Sequence, residues 1–221
     1  GGKPVVVPES GPLPRIPLDG GAEIVLLSPG PAELENLREH WKKVLRKADF
    51  TPGDRDGALA ELERKSRYGP PSGVLGLKPD SSEANGSSIA FMFTYEGQNL
   101  LMAGDAWAPV LEKALQRYHA EAGGAQPVEA FKLSHHGSFS NITKKLVRLA
   151  QARRYLVSTD GAYFKHPDPE AIQLILRNHQ GPQPELVFNY RTEFTEPWAD
   201  ASRQDRDGYT ASYPAGAALE F

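Results

Sequence analysis

Leu133-Ser134-His135-His136-Gly137-Ser138, which lies downstream of Leu100-Leu101-Met102-Ala103-Gly104-Asp105, decides how this sequence folds. Both segments are apolar runs typical of short strands, and both end in side chains that bind metals, next to a glycine that lets the backbone turn. We therefore predict an α/β protein with Asp105 and the histidine pair at neighbouring strand ends. A carboxylate can bridge two cations and a neutral imidazole binds zinc, so these residues form part of a two-metal site.

The remainder of such a site is missing from the sequence. Six histidines occur, none of them spaced His-x-His, and there is no cysteine to replace them: His40, His119, His135, His136, His166 and His179. Two metals generally need roughly six or more protein ligands between them, so the candidates Asp105, His135, His136 and His166 are too few. The sequence predicts one part of a metal site.

Several motifs together carry a family resemblance: Asn85-Gly86-Ser87-Ser88-Ile89, Gly104-Asp105-Ala106, His135-His136-Gly137-Ser138 with Asn141, Ser158-Thr159-Asp160-Gly161, and His166-Pro167. In this order they resemble the second half of metallo-β-lactamase-fold hydrolases. The branch that they resemble most is the nuclease-like domain of bacterial DNA-uptake (competence) channel proteins. The resemblance extends over about Ile16 to Phe221, but the family's His-x-His-x-Asp-His signature, from the first half of that fold, has no counterpart here.

The resemblance implies an α/β (α+β) fold, namely the second half of an αβ/βα sandwich, and a hydrolase that uses water activated by two divalent ions. The ions would be zinc, with manganese or magnesium as alternatives, and the substrate would be nucleic acid or a small phosphodiester. By resemblance Asp105 bridges the ions and His135 completes one of them. The resemblance places His136, Ser138, Asn141 and His166 on the substrate side of the site.

The absent signature leaves three explanations open: a fragment, one product of a cleaved or split protein, or a degenerate enzyme. We expect an N-terminal half or a companion chain to carry His-x-His-x-Asp-His and to complete the site. The competing hypothesis is a degenerate scaffold or interaction module without catalysis.

The length, charge and residue composition of the chain restrict which folds and functions are possible. A chain of 221 residues with 39% apolar content is long enough for one core, so we expect a single, incomplete domain over residues 1–221. The net charge of −3 lacks the basic surplus of a high-affinity nucleic-acid binder, although it does not exclude a nuclease. The absence of cysteine excludes disulfides and thiolate metal sites. No apolar run approaches the roughly 18 residues of a membrane segment, which favours a soluble, cytoplasmic protein.

Hydrophobic periodicity and turn residues predict alternating strands and helices. The predicted strands are Lys3–Pro8, Ile24–Leu27, Ser88–Thr94, Asn99–Met102, Val128–Leu133, Arg154–Ser158, Leu186–Asn189, Tyr209–Tyr213 and Ala217–Phe221. The predicted helices are Ala32–Lys47, Ala58–Arg67, Val110–Tyr118, one capped by Ser140 or Asn141, and one capped by Asp168. Residues 49–85 are predicted to form an insertion, which is either a lid over the site or a tolerated surface loop. Arg191–Asp207 reads as an exposed polar excursion.

Several candidate residues also have a purely structural interpretation. Asp105 could cap the helix that follows it, and His135 and His136 could be a buried pair bonded to backbone carbonyls. His166 could belong to a plain turn, and Ser138 and Asn141 could merely cap a helix. We interpret His40, His119 and His179 as surface histidines and assign them no function.

Overall fold

The computed structural model describes residues 5–47, 54–57, 59–60 and 80–216, and its sheet is a mixed one of eight strands that lie in chain order. The strands are β1 Arg15–Pro17, β2 Glu23–Ser28, β3 Ala90–Tyr95, β4 Gln98–Met102, β5 Val128–Lys132, β6 Ala152–Val157, β7 Glu185–Phe188 and β8 Thr210–Ser212. Neighbours from β1 to β4 pair antiparallel, and neighbours from β4 to β8 pair parallel. The predicted mixed α/β class is confirmed.

The helices with both ends in the described residues are α1 Pro31–Lys47, α2 Glu83–Gly86, α3 Ala108–Glu121, α4 Lys144–Ala150, α5 Pro169–Asn178 and α6 Ala201–Asp207, and residues 55–57 and 59–60 are also helical. From α3 onwards each helix links two neighbouring parallel strands. Such crossovers are right-handed almost without exception, which places these helices on one face of the sheet. In agreement, α4 contacts both α3 and α5, and α3 contacts β2. The core lies between these helices and the sheet, where Leu111, Phe131 and Tyr155 are fully buried.

The opposite face of the sheet is also apolar. Side chains alternate between the two faces of a strand, so the neighbours of the core residues point away from α3 to α6. These neighbours are half-buried and include Ile24, Phe91, Phe93, Leu100, Met102 and Leu156. A second apolar face is what a sheet needs if it packs against another layer.

Parallel pairing brings the ends of β4, β5 and β6 to one edge of the sheet, which we call the carboxyl edge. The segments that follow these strands begin at Ala103, Leu133 and Ser158. They carry Asp105, the histidine pair and His166, so the topology brings together residues that lie up to 61 positions apart in the sequence. The opposite, amino edge is formed by the turns that precede β5, β6 and β7.

Two local predictions at the start of the chain and after the histidine pair are wrong. Residues 5–8 form no strand, and the first strand is Arg15–Pro17, an edge strand too short to show a pattern. The helix after Asn141 is capped by Thr143, whose hydroxyl accepts a hydrogen bond from Leu146 N at 3.0 Å. Phe139–Asn141 instead form one turn of 3-10 helix, so neither Ser138 nor Asn141 is the cap of α4.

The prediction that Arg191–Asp207 is an exposed polar excursion holds for most of its residues, but the segment is anchored by a buried tryptophan. This segment contains a 3-10 helix, Glu196–Trp198, and α6, and Trp198 is only 2% exposed. The guanidinium of Arg203 lies 3.6 Å from the Trp198 ring centre, and the Tyr209 hydroxyl donates to Trp198 O at 2.9 Å. The segment is rich in charged residues, but the guanidinium of Arg203 lies over the indole of Trp198 and covers it.

Some predicted elements lie outside the described residues. These are most of the helix Ala58–Arg67, most of the insertion over residues 49–85, and the strand Ala217–Phe221. None of the helices in the described ranges is both long and apolar enough to cross a membrane.

Candidate functional site

Asp105 stands directly after β4 on a turn that only glycine can make. Gly104 has φ +55°, and a Cβ there would come within 2.8 Å of both Ile89 O and the Ser88 hydroxyl oxygen. The Ser88 hydroxyl accepts a hydrogen bond from Asp105 N at 3.0 Å, which fixes the backbone of the aspartate. The residue that caps α3 is Trp107, so Asp105 is not a helix cap. Its carboxylate is half-buried and has no hydrogen bond to another described residue.

The histidine pair follows β5 in a strained backbone conformation. His135 has φ +46° and His136 has φ +59°, the left-handed region that residues with a Cβ disfavour by about 1 kcal/mol or more each. Two backbone hydrogen bonds hold the turn, from His135 N to Gly104 O at 3.0 Å and from Ser138 N to His135 O at 2.9 Å. Strain that the surrounding structure maintains is typical of functional sites.

His135 is held from below by a buried polar cluster. Its Nδ1 lies 3.4 Å from Asp80 Oδ2, 3.2 Å from Asn141 Oδ1 and 3.4 Å from Asn85 Nδ2. Asp80 Oδ2 also accepts hydrogen bonds from Asn85 Nδ2 at 2.8 Å and Asn141 Nδ2 at 3.0 Å. These contacts fix the plane of the His135 imidazole and leave its Nε2 pointing away from the cluster.

The Asp80–His135 pair favours its charged form. Burial acts to raise the pKa of Asp80, but hydrogen bonds from His135, Ser82 N and Asn141 outweigh it and bring the pKa well below its ordinary range. The hydrogen bond to Asp80 raises the pKa of His135, against the effect of burial, and the charge of Asp105 acts in the same direction. The Asp80 carboxylate therefore stays ionised and stabilises the N–H on Nδ1 of His135.

His136 faces the open side of the site. Its Nδ1 lies 2.5 Å from Ser158 O, so Nδ1 carries the proton that this carbonyl accepts. Its Nε2 lies 3.9 Å from Asp105 Oδ1, beyond hydrogen-bond distance. The His136 side chain is 41% exposed, which makes it the most accessible of the three histidines at this edge.

His166 completes the group. Its ring centre lies 5.5 Å from that of His135, and its Nδ1 lies 3.1 Å from Asp168 Oδ1. Asp168 also accepts a hydrogen bond from Phe139 N at 2.8 Å. Burial acts to raise the pKa of Asp168, but the hydrogen bonds from His166 and Phe139 N lower it overall. Asp168 begins α5 as predicted, yet its side chain orients His166 instead of capping the helix.

The three histidines share one arrangement. Each has Nδ1 next to an oxygen, on Asp80, on Ser158 and on Asp168 respectively, and no hydrogen bond from another described residue reaches Nε2. A histidine that binds a metal generally donates its second ring N–H to a carboxylate or a backbone carbonyl in this manner. Together with the unbonded carboxylate of Asp105, this donor set suits a borderline divalent ion such as zinc.

The fit to a metal is nevertheless partial. Among residues 5–47, 54–57, 59–60 and 80–216, no three side chains of His, Asp or Glu converge closely enough to hold an ion. Asp105 and the three histidines therefore do not by themselves form a closed metal site within the described residues.

The structure brings Asp105, His135, His136 and His166 together and places the other two candidates beneath them. Ser138 is 6% exposed and Asn141 is fully buried. Asn141 also donates to Asp105 O at 3.3 Å, so its amide joins the turns after β4 and β5. Its contacts are those of a residue that positions His135. His136 is the candidate most open to a substrate.

Two residues of this site, Asp80 and Lys132, and the role of Asp168 as partner of His166 were not predicted from the sequence. Asp80 lies in the supposed insertion, 55 positions before its partner His135, and only its spacing from Asn85, at the start of the Asn85-Gly86-Ser87-Ser88 motif, could have drawn attention to it. Lys132 Nζ donates to Gly104 O at 3.2 Å. Burial lowers the pKa of Lys132, while the nearby charge of Asp105 opposes that shift.

Comparisons with known proteins found no match: no family model, no curated protein and no solved structure matches the chain.

Proposed function

We propose that this chain supplies one wall of the active site of a metal-dependent hydrolase of the phosphodiesterase or nuclease class. The observation that supports this most is the set of three histidines at the carboxyl edge. Each is oriented through Nδ1 and has no hydrogen bond to a described residue at Nε2, and the carboxylate of Asp105, which has none either, lies beside them. Ligands and substrates of α/β sheets bind at the carboxyl ends of the parallel strands.

In this proposal Asp105 and His135 hold the ions, which are zinc, manganese or magnesium. Bound divalent ions polarise a phosphoryl oxygen and lower the pKa of water toward neutrality. The Asp80 carboxylate and the Asn141 amide orient His135 so that Nε2 faces the site. A ligand that is oriented in advance binds without first losing rotational freedom.

His136 acts on the substrate side. Ser158 O keeps the proton on Nδ1, and in the imidazolium form Nε2 donates a second hydrogen bond to a phosphoryl oxygen or to the leaving group. His166 can do the same from Nε2, while Asp168 balances the positive charge on its ring. Ser138 and Asn141 support these side chains from below.

The rest of the metal site comes from a companion, either the N-terminal half of the same fold or a separate chain, which carries His-x-His-x-Asp-His. Two observations support this part of the proposal. The described ligands do not form a complete site. The sheet face opposite α3 to α6 carries half-buried apolar side chains such as Phe93 and Leu100, which a second layer would cover.

A different function is a degenerate scaffold that binds a partner without catalysis. The incomplete ligand set supports it, because a fold that has lost part of its metal site can retain its surfaces. The scaffold does not account for the unbonded Nε2 atoms, since a structural histidine gains stability when both nitrogens are bonded.

The proposal is tested by measuring metal binding and hydrolysis for one histidine variant at the site and one control variant elsewhere. Zinc stoichiometry and hydrolysis of bis(4-nitrophenyl) phosphate are measured for the chain together with its companion, for His135→Ala, and for His119→Ala as the matched control at the amino edge. We expect His135→Ala to lose bound zinc and activity and His119→Ala to keep both. Equal zinc content and turnover in all three proteins would contradict the metal site and favour the scaffold.

A further inference from the structure

Two exposed aromatic side chains stand beside the candidate site, on the loop that joins β6 to α5. Tyr163 is 72% exposed and Phe164 is 53% exposed. Aromatic residues contribute most when they are buried, and adjacent exposed rings beside a site usually mark a binding surface. The proposed hydrolysis gives neither ring a role.

The loop that carries these rings is held by its own hydrogen bonds. Gly161 N donates to the Thr159 hydroxyl at 3.0 Å, Ala162 N donates to Asp160 Oδ1 at 2.9 Å, and Lys165 N donates to Gly161 O at 3.1 Å. Gly161 has φ +71°, and a Cβ there would lie 2.6 Å from the Phe194 ring. The backbone of the turn that carries the two rings is therefore held by these contacts.

Phe164 is in contact with the histidines of the site. Its ring centre lies 6.0 Å from that of His166, with 21° between the ring planes, and 6.3 Å from that of His135, with 70° between the planes. The imidazoles cover one side of Phe164 and the remainder of the ring faces solvent. Lys165, the next residue, is exposed and adds a positive charge to the same loop.

We propose that Phe164, together with Tyr163, is a platform on which a nucleobase of the substrate stacks. This inference rests on the proposed function and narrows its substrate class to phosphodiesters of nucleotides with unpaired bases. Stacking of bases on aromatic side chains beside a cation is the usual way in which proteins bind single-stranded nucleic acid without sequence preference. A base on Phe164 would bring the neighbouring phosphate, one sugar away, close to His135, whose ring centre lies 6.3 Å from that of Phe164.

The net charge of the chain supports a substrate with unpaired bases over a duplex substrate. The chain has a net charge of −3 and no basic surplus, so long-range attraction to a polyanion is weak. Affinity must then come from short-range contacts such as stacking. The bases of a duplex are already stacked and paired, and reaching the platform would require unstacking them.

Ligand binding separates this inference from the proposed function. The dissociation constants of adenosine 5′-monophosphate and ribose 5-phosphate are measured by calorimetry for the wild-type protein, Phe164→Ala, Phe164→Trp and Tyr95→Ala. Tyr95 is an exposed aromatic residue at the end of β3, at the opposite edge of the sheet. We expect the nucleotide to bind at least about 10-fold more tightly than the sugar phosphate. Phe164→Ala should abolish that difference, and Phe164→Trp and Tyr95→Ala should preserve it.

Two outcomes would overturn the platform. One is equal affinity for the two ligands in the wild-type protein, and the other is a nucleotide preference that survives Phe164→Ala. The second outcome, combined with weaker association of Phe164→Ala with the companion chain, would identify the rings as a protein interface. A nucleotide preference that depends on Phe164 without any phosphodiester hydrolysis would support the platform and refute the proposed function alone. Equal hydrolysis of thymidine tetranucleotides with and without their bases would refute the platform alone.

Discussion

Histidines at the two edges of the sheet differ in how their ring nitrogens are used. At the amino edge, His119 bonds through Nε2 to Leu149 O at 3.0 Å and through Nδ1 to Gln126 N at 3.2 Å. His179 bonds through Nδ1 to the Tyr155 hydroxyl at 3.1 Å and through Nε2 to Pro182 O at 2.6 Å. At the carboxyl edge, His135, His136 and His166 contact hydrogen-bond partners among the described residues through Nδ1 alone.

The difference shows what each group contributes. A half-buried imidazole with two partners ties turns together, and it stabilises the fold by about 0.5–1.5 kcal/mol per hydrogen bond. An imidazole with one partner is oriented but keeps a donor or lone pair for another molecule. The interpretation of His119 and His179 as surface histidines was therefore wrong about their surroundings, since both are half-buried and bonded on both sides.

The largest expected effect comes from Asp105→Ala. Because the carboxylate has no hydrogen bond to the described chain, its removal should leave the melting temperature nearly unchanged. Loss of a metal ligand should lower metal-dependent phosphodiester hydrolysis on the order of 10³-fold in the complete protein. Turnover and thermal unfolding of this variant are compared with those of Asp205→Ala, which removes an exposed acid on α6. Unchanged metal content and turnover in Asp105→Ala would remove it from the site.

His136→Ala should separate substrate contact from metal binding. The imidazole is exposed and is held by one hydrogen bond to Ser158 O, so its loss should lower kcat about 10²-fold while most bound metal remains. Metal content by atomic emission and kcat by product formation are the two measurements. Metal loss as large as that of His135→Ala would show that the two histidines share the ligand role.

A smaller effect is expected from Asp80→Asn, which tests the support beneath His135. The variant keeps the shape of the side chain but removes the charge that holds the Nδ1 proton, and changes of this kind lower metal affinity about 10- to 100-fold. Zinc titration against a competing chelator measures the affinity, and kcat at saturating zinc should change less than the affinity does. Wild-type affinity in Asp80→Asn would show that Asn141 alone orients the ring.

Much of this fold could be predicted from sequence because its strands and helices have clear periodicity. The strands around Met102 and Phe131 and the helices α1, α3 and α5 were predicted close to their observed bounds, and a glycine before Asp105 indicated the turn. The prediction that Asp105, His135, His136 and His166 lie together needed only the parallel order of β4, β5 and β6, and the structure confirms that placement.

The support of the site could not be predicted in the same way. Asp80 reaches His135 from a polar segment with no periodicity, and Asp168 has the sequence pattern of a helix cap while its oxygens bond to Phe139 N and His166. Nothing local to the sequence distinguishes these partners from any other acid in a turn. Which nitrogen of a histidine is bonded is likewise decided by tertiary contacts and is invisible in the sequence.

The smallest expected effect is a difference in folding stability, and it separates backbone strain from the chemical role of the side chain at the two edges of the sheet. His136 at the carboxyl edge and Gln151 at the amino edge both have left-handed backbones, with φ +59° and +42°. Replacing each by glycine and by alanine removes the same side chain in both cases, so the difference between the two variants isolates the backbone. Glycine should be more stable than alanine by about 1 kcal/mol at both positions, because relief of the left-handed conformation outweighs the greater freedom of glycine in the unfolded chain.

Catalytic turnover should distinguish His136 from Gln151, although the glycine and alanine variants are expected to differ in stability by the same amount at both positions. Both Gln151 variants should hydrolyse phosphodiesters as the wild type does, since Gln151 only ends α4. Both His136 variants should lose turnover together, although His136→Gly is the more stable of the two. Urea unfolding and kcat are measured on the same preparations. The contradicting outcome is that His136→Gly is no more stable than His136→Ala while the Gln151 pair shows the expected difference. The left-handed backbone at His136 would then cost no free energy, because Gly104 O and the other contacts of the turn after β5 stabilise it. Its conformation would in that case be no argument for function at the carboxyl edge.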